Sequence, residues 1–211
     1  MSKLHVLFVR AFLLVLSGFA VSCLAYGQQE GSVTVFLPNQ EVRVPGLPSL
    51  TAPSKSAALA TALEIVLHDK AVCCGKDSAL EDAALYTTLS GAVSLKEFSA
   101  KLQGKHLLND GRPILVNAEY FPPSSMNAGL IVGALQDQHA ALFEWQSHVY
   151  VLYGAIYNET RDYSGTRQYA LQKLLLLDPR FSDRRREVVF DRETDDWEKV
   201  QGLLIPMVAP Q

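Results

Sequence analysis

The chain has 211 residues, 48% of them apolar and 19% charged, with a formal net charge of −3. That length and apolar content suit one domain with a buried core, and the acidic balance excludes the basic footprint of a nucleic-acid-binding surface. Its five histidines are scattered and two of its three cysteines, Cys73 and Cys74, are adjacent, with no His-Glu-x-x-His and no Cys-x-x-Cys, so neither a metal site nor a cofactor is expected.

Lys3 and Arg10 form a positive n-region and Ala11 to Ala20 an apolar h-region, while Ala25-Tyr26-Gly27 ahead of Gln28 has the small-x-small form that signal peptidase cleaves. The uncharged run from Ala11 to Ala25 is about 15 residues, short of the roughly 20 that span a bilayer. Residues 1–27 therefore read as a signal peptide, and the protein is expected to be exported, periplasmic or extracellular. Ala20-Val21-Ser22-Cys23 resembles a lipobox, which makes Cys23 a candidate lipidation site and the only expected route to a membrane. Without residues 1–27 the chain keeps 17 basic and 22 acidic residues, a net of −5.

Residues 28–54 read as an N-terminal arm, strand-like at Val33 to Leu37 and Glu41 to Val44 but broken by Pro38, Pro45, Pro48 and Pro53. Ser54 to Leu67 is Ala- and Leu-rich and predicts a helix. Asp77 to about Ser90 predicts a second, with Leu80, Ala84, Leu85 and Leu89 at helical spacing. Ser94-Leu95-Lys96-Glu97 is a capping box that opens a third, to about Leu102. Strands are then expected at Pro113 to Asn117, His139 to Trp145, His148 to Tyr157 and Gln168 to Asp178, with a hairpin end over Asn158 to Arg167. A short strand at Glu187 to Phe190, a short helix at Asp195 to Gln201 and a strand at Leu203 to Val208 close the chain. Helices before strands predict an α+β domain over residues 55–211, N-terminal helices packed on a C-terminal antiparallel sheet.

Three residues stand where acyl-transfer chemistry would need them. Cys74, followed by Gly75, precedes a predicted helix, whose free N–H groups and dipole stabilise a thiolate. His148 heads a strand, and Asp178 ends the next one. Together they make a nucleophile, a base and a carboxylate to orient that base. Cys73 reads as a packing residue, and His139 is a rival base.

The order of Cys74-Gly75, Gly111-Arg112-Pro113-Ile114-Leu115-Val116, His148 to Gly154 and Asp178-Pro179 resembles the papain-like cysteine peptidases, in particular their C39-like branch. Val188 to Phe190, the segment around Trp197 and Leu204-Ile205-Pro206 resemble that branch's closing strand, helix and strand. The resemblance covers about residues 55–208. It implies a papain-like fold and an exported thiol peptidase or amide hydrolase acting on a peptide or protein substrate, with Cys74, His148 and Asp178 as the triad. The family's Gln, about six residues before the nucleophile, has no counterpart; His68 holds that place and is the candidate oxyanion donor. The missing Gln equally suits a non-catalytic envelope binding module or lipoprotein on a degenerate version of the same scaffold.

Overall fold

The computed structural model of the chain describes residues 34–54, 57–68, 94–107 and 113–210. These residues form eight strands: β1 (Val35–Arg43), β2 (Gly104–Leu107), β3 (Pro113–Phe121), β4 (Ala141–Trp145), β5 (His148–Arg161), β6 (Arg167–Leu177), β7 (Glu187–Asp191) and β8 (Val200–Pro210). Three short helices accompany them, α1 (Ala58–His68), α2 (Leu95–Leu102) and α3 (Ala128–Gln136). The strands make one sheet in the order β2-β3-β8-β4-β5-β6-β7, with β1 added to β5. Every pairing is antiparallel.

This is a mainly β architecture, and it overturns the expected α+β, papain-like arrangement of leading helices on a following sheet. The sheet begins ahead of the first helix, because residues 35–43 belong to it as β1. Prolines there read as strand breakers, yet Pro38 sits at a bulge, where the register slips between Leu37 and Gln40 and Asn39 takes φ 51°. β1 pairs with β5 alone, and an edge strand can carry a residue with no N–H to donate. The order breaks again at α3, which lies between β3 and β4 and is capped by Asn127 accepting from Leu130 N at 2.9 Å.

β5, at 14 residues, is the spine. Its β-branched and aromatic run suits a pleated strand. One edge holds β6; the other holds β4 along Trp145↔His148 to Ala141↔Leu152, then β1 from Gly154 onward. A Cβ on Gly154 would lie 2.9 Å from the Val42 carbonyl oxygen and from Leu175, so only glycine lets the three strands meet there. The two-residue turn into β5 has Gln146 at φ 52° and Ser147 at φ 60°, as a tight hairpin requires. It is held by Gln146 N to Lys199 O and Ser147 N to Gln201 Oε1.

Neighbouring residues of a strand face opposite ways, and β4 uses both faces. Phe143 enters a ring cluster with Phe190 and Trp197, at centroid separations of 5.8 and 6.4 Å, while Glu144 turns away to accept from Leu95 N in the first turn of α2. Phe143 and Phe190 sit three strand spacings apart, about 14 Å in a flat sheet. Their contact shows that the sheet curls strongly around the aromatic cluster. α1 packs on β5, β4 and β8, α2 on β3 and β8, and α3 on β6, β1 and β5. With both faces covered, Leu174 to Leu177 can be apolar without alternation.

Candidate functional site

Of the residues singled out above, Cys23, Cys73 and Cys74 lie outside the described residues, as does the helix expected from Asp77. His68 is the last residue of α1. His139 follows α3, its backbone N–H donating to Ala134 O at 2.8 Å. His148 and Asp178 can be followed in full.

The β5–β6 register, with Val151 opposite Leu177, carries the start of β5 alongside the end of β6. His148 is exposed at that start, opposite Trp145. Its side chain makes no hydrogen bond or ion pair among the described residues. Asp178 is 2% exposed and has both carboxylate oxygens occupied by one neighbour. Its Oδ1 accepts from Arg180 N at 3.0 Å and Arg180 Nε at 2.8 Å, and its Oδ2 accepts from Arg180 Nη2. Its own N–H donates to Arg186 O at 2.7 Å. The Arg180 guanidinium lies 5.8 Å from the Tyr150 ring centroid, and the Asp178 carboxylate raises its pKa. Burial pushes the Tyr150 phenol up as well. The expected Asp178–His148 pair is thus replaced by a fork of charge-assisted bonds that closes the turn after β6.

The same turn holds the segment that follows β1. Arg186, buried, donates to Ser49 Oγ at 2.6 Å and Pro48 O at 2.7 Å, and Ala52 N donates to Pro179 O. A strand and a bonded strap make residues 35–52 part of the fold.

One group escaped the sequence reasoning. Glu144 is 7% exposed, with Leu95 N at 3.2 Å its hydrogen-bond donor among the described residues, and burial raises its pKa. Tyr120, whose phenol is pushed up by burial and then by the Glu144 charge, donates to Gln201 O. The signal was an acid inside the apolar run Ala141-Leu-Phe-Glu-Trp145. Because the folded pKa lies above the ordinary 4.5, folded protein keeps a proton that unfolded chain has lost. The stability this contributes is present below about pH 4.5 and lost as pH rises through the folded value. Glu144→Gln keeps an acceptor for Leu95 without the charge. Calorimetry should show its Tm at pH 7 above the parent's by about 2–4 °C, with the gap closing near pH 4.

The far end of β5 presents a different surface. Val35 and Phe36 open β1 opposite Arg161 and Thr160, and Tyr163 stands in the β5–β6 turn; they are 45, 58 and 80% exposed. Asp162 accepts from Ser164 N, Ser164 Oγ and Thr166 N, so the turn is internally braced. Glu159, buried, binds Arg161 and lies 3.6 Å from Arg167.

Among the described residues no group of three or more His, Cys, Asp or Glu is placed to hold a metal, and no helix is long and apolar enough to cross a membrane. Compared with protein-family models, curated proteins and solved structures, the chain matches none.

Proposed function

We propose that this protein is an exported, non-catalytic binding module. The commitment of both Asp178 oxygens to Arg180 carries the reading. In the triad the sequence suggested, a carboxylate holds the histidine's tautomer and stabilises the imidazolium, and the one offered to His148 is spent on a turn. The N-terminal n-region, h-region and small-residue site support export. The surface offered to a partner is the end of the sheet where Val35, Phe36 and Tyr163 meet water.

Peptide-resolved alkylation of the full chain with iodoacetamide tests the absence of catalysis. Cys74 is expected to react with a midpoint near about pH 8.5, the ordinary thiol value, and His148→Ala to leave that profile unchanged. Rapid alkylation of Cys74 in acid, slowed by His148→Ala, would establish the thiol hydrolase instead.

A further inference from the structure

We propose that the end of the sheet built from the start of β1 and the β5–β6 turn seats on a lipid bilayer, with Val35, Phe36 and Tyr163 entering the interface. The proposal rests on the binding-module reading and names its partner.

Five large apolar side chains are exposed among the described residues: Val35, Phe36, Leu115, Tyr163 and Val189. Three of the five gather at this one end, around the Val35↔Arg161 pair. Isolated exposed apolar residues are ordinary; a group at the tip of a braced turn marks a contact surface. Tyr163 suits the headgroup level, where an apolar ring and a polar hydroxyl are both solvated.

The path of the chain selects the bilayer as occupant. The lipobox-like Cys23 lies twelve residues before Val35, the first residue of β1. That step spans at most about 40–43 Å. Lipidation at Cys23 keeps this end of the sheet close to the membrane. The His148 end lies a full 14-residue strand away, about 45 Å.

Charge sets the kind of contact. Arg161 and Arg167 share Glu159, which leaves guanidinium N–H groups for lipid phosphates. Glu159 and Asp162 balance the two arginines, so attraction to anionic lipid is not the driving force. Three apolar side chains alone hold a surface only weakly and reversibly, and stable seating needs a second attachment. A lipid on Cys23 supplies it by raising the effective concentration of the tip at the bilayer. The bonds to Asp162 set the turn in advance, so little ordering is lost on contact.

The test uses the exported protein with lipidated Cys23 as its first residue, carrying Tyr163→Trp and reconstituted in vesicles of phosphatidylethanolamine and phosphatidylglycerol whose acyl chains are brominated. Bromolipid is expected to quench the added tryptophan and to leave Trp145 and Trp197, packed around Phe190, as bright as in the parent. Phe36→Asp in the same chain is expected to abolish the extra quenching. Quenching no greater than the parent's would overturn the proposal. So would a dimer that Phe36→Asp dissociates, because a second copy would then cover the tip. Either result leaves the Cys74 alkylation profile untouched, so the lipid partner can fail while the binding module stands. A His148-dependent reactive Cys74 removes the module whatever the vesicles report.

Discussion

Asp178→Ala will lower the stability of the fold by about 2–4 kcal/mol, the cost of removing the charge-assisted hydrogen bonds that a buried carboxylate makes to a partly buried arginine. The substitution leaves the Arg180 side chain, 19% exposed, facing Tyr150 without its counter-charge, and it strips the acceptor from Arg180 N. The loss extends to the strap, because the turn that Asp178 closes also places Arg186 against Pro48 and Ser49. Urea unfolding should show a lower midpoint at an unchanged slope. Asp178→Asn, which can still accept from Arg180 N, should fall between the two. Cys74 alkylation in the folded variant should match the parent. A variant as stable as the parent with altered Cys74 reactivity would return Asp178 to the role of orienting a base.

Phe190→Ala should cost roughly 3–5 kcal/mol, as for a large buried aromatic. Phe190 is fully buried, with ring centroids 5.8 Å from Phe143, 5.0 Å from Trp145 and 5.6 Å from Trp197. It joins β7 to β4 across the inside of the curl, so its loss both opens a cavity and loosens the closure of the sheet. Both tryptophans of the chain flank it. Their emission should shift to the red in the folded variant and thus report the cavity apart from unfolding. Phe190→Leu, which fills part of the space, should recover about half the loss. An unshifted emission with undiminished stability would show that the curl does not depend on this ring.

Local signals were legible. The capping box at Ser94 opens α2, with Glu97 N donating to Ser94 Oγ at 3.2 Å. Strands were expected over the cores of β3 to β8, except that β2 and α3 went unnoticed. The run Gly129 to Leu135 shows weak periodicity because every residue in it is apolar or glycine, with no polar face to set a period. A further signal was present and unread. Among the described residues acid-x-Arg occurs at Glu41/Arg43, Glu159/Arg161, Asp178/Arg180 and Asp183/Arg185, and in each of these the two side chains pair. Residues two apart share a face of extended chain, so the partner of Asp178 stood two positions away. The order Cys, His, Asp drew attention to the distant partner and away from the near one.

Strand content, turn chemistry and the arginine beside each of those acids are written in stretches of a few residues, because they depend on backbone geometry and immediate neighbours. That β1 joins a sheet whose spine begins over a hundred residues later could not be read that way, nor could the curl that brings Phe190 onto Phe143 or the burial of Glu144. Those depend on which faces meet once the chain has closed. Burial and long-range pairing belong to the assembled molecule, and they moved a protein that reads as helices on a sheet into a mainly β fold.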